Sequence, residues 1–298
     1  MIATSDYELV TESAGLVDRS DRAKFLVRGG EAADFLQGQV SNDVEALEPG
    51  HGCYATVLTH KGKLRTDLRV LRGDDWLMLD TEPIGHAVLA HMLRTYSLGR
   101  DVEFEDVTES RALLSLIGPA ARDRLDSAPP DEENSFVTGE HGIYVATLLG
   151  VDVICEPGTE LGVETVSEET AECVRIEAGR PRLGYDMDAD TMPQEAGIND
   201  RAVSFTKGCY VGQETVARLH YKGKPNRHLR GLRLSEPAER GAEIARDGKP
   251  VGRLGSTCVS PRLGAIGLAL LRREAEPGAS VDVGGVPAEV VELPFEQR

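Results

Sequence analysis

Lys207-Gly208-Cys209-Tyr210-Val211-Gly212-Gln213-Glu214 places one cysteine between two glycines and close behind a lysine. Val216, Ala217 and Leu219 then recur at helical spacing, so a helix is expected to begin near Gly212. The glycines allow a tight backbone path. A helix N-terminus and a neighbouring ammonium would both favour the thiolate of Cys209, which makes it the first candidate for nucleophilic or redox chemistry. A single loop cysteine is more often inert packing, so the surrounding pattern has to decide its meaning.

Seven of these eight positions, Lys-Gly-Cys-Tyr-x-Gly-Gln-Glu, match a family signature. The chain resembles the YgfZ family of folate-binding proteins, relatives of the glycine-cleavage T-protein (aminomethyltransferase) that assist iron–sulfur proteins. The resemblance extends outward along nearly the whole chain. Towards the N-terminus, Lys24–Val27 reads as a strand and Glu31–Val40 as a helix with Ala32, Phe35, Leu36 and Val40 on one stripe. Ser41-Asn42-Asp43-Val44 follows, an order similar to the opening of T-proteins. Between these ends, Gly184-Tyr185-Asp186 and Met192-Pro193-Gln194-Glu195 resemble the T-protein segment that carries a glutamate to the pterin ring, and Glu195 matches that glutamate. A carboxylate accepts two parallel hydrogen bonds from the 2-amino group and ring N–H of a pterin. A solvated loop glutamate is the competing reading.

Leu64, Thr66, Leu68 and Val70 alternate with Lys63, Arg65, Asp67 and Arg69, predicting a strand with one apolar and one charged face. In aminomethyltransferases the corresponding place carries two adjacent aspartates, one of which helps activate the aminomethyl group or the folate. Here the pair is Thr66-Asp67, which argues against aminomethyl transfer. A surface ion pair of Asp67 with Arg65 or Arg69 is the alternative. Pro83 opens a helix whose stripe includes Ile84, Ala87, Val88, His91, Met92 and Tyr96, with His91 read as a core histidine and Gly99 ending it.

A second strand-and-helix unit begins at Leu113–Pro119, is interrupted by the charged loop Pro129–Glu133, and returns as strands at Tyr144–Leu149 and Asp152–Cys155. Two α+β units in succession suggest a duplicated core. Ser167–Ala178 reads as a helix closed by Gly179 and Pro181. After residue 228, six short segments (229–234, 243–245, 250–254, 265–271, 280–283, 288–292) separated by Gly, Pro and Asp turns predict a small β-barrel. The expected fold is therefore α+β: residues 1–228 form two joined lobes, the second near 108–175, and residues 229–298 form the barrel. The three-part arrangement is what the resemblance implies.

The chain has 298 residues and 40% hydrophobic content, enough for two or three cores, and no apolar run of membrane-spanning length. Its N-terminus has neither a basic opening nor an apolar stretch, so a cytoplasmic location is expected. The five cysteines show no Cys-x-x-Cys spacing, which gives no motif for a zinc or cluster site. A net charge of −17, from 33 basic and 50 acidic residues spread along the chain, suggests a salty, halophilic cell interior or a basic partner. Lys207–Arg233 runs against this trend with seven basic residues and one acid. Beside a pterin pocket, such an island would suit a folate glutamate tail; a nucleic-acid surface is the alternative, although only Tyr210 and Tyr221 interleave with it. A linker of solvated lysines is the plain reading of Gly223-Lys224-Pro225-Asn226.

The resemblance implies a tetrahydrofolate-binding accessory protein for iron–sulfur enzymes or their assembly, with Cys209 and Asp67 as the chemical groups. It implies Glu195, Lys207, Tyr210, Gln213, Arg218 and Arg227 as cofactor contacts. A folate-dependent aminomethyltransferase or demethylase, and a non-catalytic RNA- or protein-binding module, are the alternatives.

Overall fold

The structure, a computed structural model, describes residues 2–295. In chain order it runs α1 (Thr4–Glu12), β1 (Gly15–Asp18), β2 (Ala23–Arg28), α2 (Ala32–Gln39), β3 (His51–Leu58), β4 (Leu64–Arg72), β5 (Leu77–Thr81), α3 (His86–Tyr96) and β6 (Glu103–Asp106). The second unit holds β7 (Ala112–Ile117), β8 (Phe136–Gly139), β9 (Gly142–Thr147), β10 (Gly150–Cys155) and α4 (Glu168–Glu177). After α5 (Asn199–Ala202) and α6 (Gln213–Lys222) come β11 (Arg227–Leu234), β12 (Glu243–Arg246), β13 (Lys249–Ser260), β14 (Gly264–Arg272), β15 (Ser280–Val283) and β16 (Val286–Val291).

Two five-stranded antiparallel sheets share one topology. The first has the order β3-β4-β5-β2-β6 and the second β8-β9-β10-β7-β1. In each, a leading strand (β2 or β7) pairs with the last strand of a three-strand meander, and a fifth strand covers its other edge. The first unit supplies its own fifth strand. The second takes β1 from the start of the chain, so the expected duplication is present in the topology, with the N-terminus crossing into the second lobe.

The lobes pack through Leu71 and Met78 of the first sheet and Leu113, Phe136, Val145 and Ile154 of the second. On the far side of the first sheet, α2 buries Ala32, Phe35 and Leu36, and α3 buries Leu89, Met92 and Leu93. These are i, i+3, i+4 sets that present one apolar stripe. The Ser167 side chain caps α4 by accepting from Thr170 N–H at 3.2 Å, and Gly179 with φ +67° follows that helix. The last six strands close into a barrel in the order β11-β14-β13-β12-β15-β16, filled by residues such as Leu232, Ile244, Leu271 and Val290. Arg175 on α4 and Ser256 on β13, joined at 2.6 Å, help tie the barrel to the second lobe.

Two sequence readings change here. His91 and Tyr96 are exposed and Ile84 is 65% exposed, so the buried stripe of α3 is the Leu89, Met92, Leu93 set. The strand expected to carry a charged outer face, β4, is buried on both faces from Thr66 to Leu71, because the second lobe covers the polar side.

Candidate functional site

That covered polar face forms one wall of a cavity of about 210 Å³ between the lobes. Asp67 on β4 and Tyr54 on β3 line it together. Thr56 stands opposite Asp67 and Tyr54 opposite Arg69, so Tyr54 and Asp67 are diagonal neighbours on one face of the pair. The Tyr54 hydroxyl donates to Asp67 Oδ2 at 2.7 Å. Burial pushes the Asp67 carboxyl above its usual range, and the Tyr54 hydrogen bond and the Arg22 charge pull it only partly back. Burial, and then the Asp67 charge, raise the Tyr54 hydroxyl well above its ordinary value.

Every other carboxylate lining the cavity is paired with arginine. Glu82 pairs with Arg22 and with Arg182 at 2.9 Å, and Glu172 with Arg175 at 2.8 Å. Asp152 pairs with Arg69 at 2.8 Å, and Glu133 with Arg201. Burial opposes ionisation of Glu133, but the Arg201 hydrogen bonds and charge outweigh it and hold its carboxyl below the usual range. Among the described residues, Asp67 forms no ion pair. The surface pairing with Arg65 or Arg69 is therefore replaced: Arg69 is taken by Asp80 and Asp152, and Asp67 faces the cavity. Arg180 and Arg201 share Glu133, which leaves that corner with two guanidiniums and one carboxylate. Arg201 also lies 4.7 Å over the Tyr54 ring.

The cysteine loop is pinned at both ends. Lys207 is buried, and its ammonium donates to the carbonyls of Gln37, Val40 and Asn42 at 2.7, 2.8 and 2.7 Å. It thereby caps the C-terminal end of α2, where the helix dipole favours a cation. Burial lowers this ammonium to about 8. Lys207 therefore uses all three of its donors on the backbone, and the expectations that it flanks the Cys209 thiol or contacts a cofactor give way to an anchoring role. Tyr210 packs in the core with Leu58, Leu64 and Val216, and burial raises its hydroxyl to about 12. Gly212 adopts φ +89° as the N-cap of α6, and a Cβ there would lie 2.5 Å from the Thr59 carbonyl oxygen. Gln213 donates across the loop to the Gly208 carbonyl at 3.3 Å. Cys209 is exposed between these anchors and does not line the Asp67 cavity.

Glu195 also lies apart from Asp67. Its carboxylate accepts from the Arg227 fork at 2.8 and 3.1 Å and from Met192 N–H at 3.0 Å, beside a hollow lined by Lys63, Asn226 and Arg272. The two-acceptor edge expected to meet a pterin is occupied by a guanidinium.

The basic island breaks up in three dimensions. Lys207 is buried, Arg227 pairs with Glu195, Arg230 with Glu292 at 3.0 Å, and Arg233 lies 5.9 Å over Phe295. Arg218, Lys222 and Lys224 remain exposed. Among the described residues, no helix is long and apolar enough to cross a membrane.

Sequence reading missed Tyr54, Glu133 and Arg201. The alternation in His51–Leu58 ahead of the Thr59–Lys63 turn was a signal for a hairpin partner of β4, and so for Tyr54. Nothing local marks Glu133 or Arg201.

Residues 2–142 match the GCVT N-terminal domain and residues 227–296 the glycine cleavage T-protein C-terminal barrel domain. A curated aminomethyltransferase from Rubrobacter xylanophilus is 30% identical over 322 residues, covering 99% of this chain and 86% of that protein. The chain belongs to the glycine cleavage T-protein family. Another relative, an aminomethyltransferase of Thermotoga maritima, is 30% identical over 96% of this chain and 87% of its own. A putative chloroplast transferase of Arabidopsis thaliana is 29% identical over 95% of this chain and 71% of its own. The crystal structure of aminomethyltransferase T from Bartonella henselae superposes with a TM-score of 0.88, covering 99% of this chain and 90% of that one at 23% identity, which establishes the fold.

Proposed function

We propose that the cavity between the lobes binds the ring system of tetrahydrofolate, with Asp67 as its acidic contact. The observation that carries this reading is that Asp67 is the one carboxylate lining the cavity without an arginine partner, so it retains the capacity to accept from a ring N–H. The residues present fit such a ligand. Tyr54 orients the carboxylate, and the Arg180–Arg201 corner, with its single shared acid, would receive an oxygen or carboxylate of the ligand. At about 210 Å³ the cavity is smaller than the roughly 300–1,000 Å³ of pockets that enclose a whole drug-sized molecule, so the glutamate tail would lie outside. Tetrahydrofolate, when bound, supplies a carrier for one-carbon units. The raised Asp67 carboxyl is suited to hold or release a proton at that carrier.

Titration calorimetry with tetrahydrofolate tests this. Asp67→Asn should bind about ten- to a hundredfold more weakly, the range for a lost hydrogen bond to a charged group. Glu195→Gln should bind like the parent. Undiminished binding by Asp67→Asn would remove the assignment, and a loss confined to Glu195→Gln would move the ligand to the Arg227 side.

Within this family we infer the YgfZ-type accessory role, in which a folate-loaded protein supports iron–sulfur enzymes through Cys209. Support comes from the Lys207–Glu214 signature, from Thr66 in place of a second aspartate, and from the exposure of Cys209 on a loop held from both sides. Cys209→Ser should fold and bind folate normally yet fail to restore iron–sulfur enzyme activity in cells lacking the native protein; full rescue would reduce Cys209 to a surface residue. The second reading, an aminomethyltransferase, is favoured by the names of the full-length relatives. Turnover by the parent in a reconstituted glycine-cleavage reaction would establish it in place of the accessory role.

A further inference from the structure

Cys173 on α4 and Cys258 on β13 come from different parts of the chain, yet their sulfurs lie 3.0 Å apart. Both are free thiols with different access to solvent. Cys173 is fully buried and directs its Sγ at Glu177 Oε1, 3.8 Å away. Cys258 is half-buried and lines a hollow of about 400 Å³ whose surface is mostly apolar, from Ile2, Ile176 and Val259 among others, with Glu168, Glu169, Glu172 and Arg240 also in its lining. A disulfide requires about 2.05 Å between sulfurs, so a side-chain shift of about 1 Å would close the bond.

We propose that Cys258 is a thiol-modification site, reached through this hollow by low-molecular-weight disulfides, and that Cys173 is its resolving thiol. The Cys258 thiolate attacks one sulfur of RSSR, forming Cys258–S–S–R and releasing RS⁻, which takes up a proton equivalent to the one Cys258 lost. Cys173 then passes its proton towards the Glu177 carboxylate that its Sγ faces and attacks Cys258 Sγ, forming the Cys173–Cys258 bond and expelling the second RS⁻, which takes up the equivalent proton. Two protein thiols are oxidised and one RSSR is reduced to two RSH, so atoms and electrons balance. The hydrogen bond shared with Cys258, and burial after it, raise the Cys173 thiol, so it stays protonated until its neighbour has reacted. The product bond would staple α4 of the second lobe to the C-terminal barrel. Neither thiol lines the Asp67 cavity or belongs to the Cys209 loop, although Glu172 borders both that cavity and the hollow beside Cys258.

The test is peptide mass mapping of the native full-length chain after incubation with oxidised glutathione, followed by acid quench and alkylation. The expected result is a Cys173–Cys258 cross-linked peptide, loss of both these thiols from alkylation in addition to the glutathionylated Cys209, and reversal by dithiothreitol. Cys173→Ser should stop at a stable glutathione adduct on Cys258, and Cys258→Ser should leave Cys173 unmodified. The proposal is overturned if both thiols of the parent remain alkylatable once Cys209 is fully glutathionylated. It is equally overturned if a glutathione adduct persists on Cys258 of the parent. The map of the parent decides this without either variant, so a folding defect in a serine variant leaves the result intact.

Discussion

The Tyr54 hydroxyl holds Asp67 Oδ2 at 2.7 Å on the polar face of the first sheet, where the second lobe covers the strand and arginines take up the neighbouring acids. One carboxylate is thereby left buried, oriented and, among the described residues, without an ion-pair partner. The first prediction follows from its raised pKa.

The unfolded chain releases the Asp67 proton near 3.8, whereas the folded protein keeps it to higher pH. Between those two values the native state binds more protons than the unfolded state, so stability falls as pH rises through the window and the favourable contribution is complete below it. Asp67→Asn should remove this component. Urea denaturation across a pH series, parent against variant, should show the parent losing stability relative to the variant above 3.8; parallel curves would refute the burial argument.

Lys207 satisfies three backbone carbonyls at the end of α2. Lys207→Met leaves them without that donor and should destabilise by about 3 kcal/mol or more, since each buried orphan costs about 1–3 kcal/mol. Lys207→Arg should not restore stability, because a planar fork cannot replace a compact ammonium aimed at three converging oxygens. Chemical denaturation of both variants checks this.

The two glycines of the motif should behave oppositely. A Cβ on Gly212 would sit 2.5 Å from the Thr59 oxygen at a positive φ, whereas one on Gly208 would meet nothing within 4 Å. Gly212→Ala should cost about 2 kcal/mol or more and Gly208→Ala within about 0.5 kcal/mol of zero. Equal melting temperatures for the two variants would show that the loop is not pinned against the β3–β4 hairpin.

A chain of net charge −17 repels itself in dilute buffer, where screening reaches about 30 Å at 0.01 M salt but about 3 Å at 1 M. Melting temperature is expected to climb from tens of millimolar to molar KCl. A rise that continues after screening has saturated would support adaptation to a salty interior, and a flat profile would remove that reading.

Much of the fold is legible locally. The Phe35 and Leu36 stripe, the Ser167 cap with Gly179 past the helix end, and the six turn-separated segments of the barrel state their elements within a few residues, because helix and strand periods are properties of short stretches. The site was legible only in part. Asp67 could be singled out from Thr66-Asp67, but its neighbours suggested a surface ion pair, since alternation describes a strand without saying what lies against either face.

By itself, the sequence singled out the stretch from Lys207 to Glu214 and determined the α+β order and the closing barrel, the last two carried by spacing along the chain. Tertiary structure decided the rest: that β1 completes the second sheet, that Lys207 turns inward to α2, and that Arg227 pairs with Glu195 at a hollow other than the one Asp67 lines. It also decided that Arg201 and Glu133, 68 positions apart, meet at the cavity where Asp67 stays unpaired. Charges choose partners by distance through space in a low-dielectric interior, and spacing along the chain does not encode that distance.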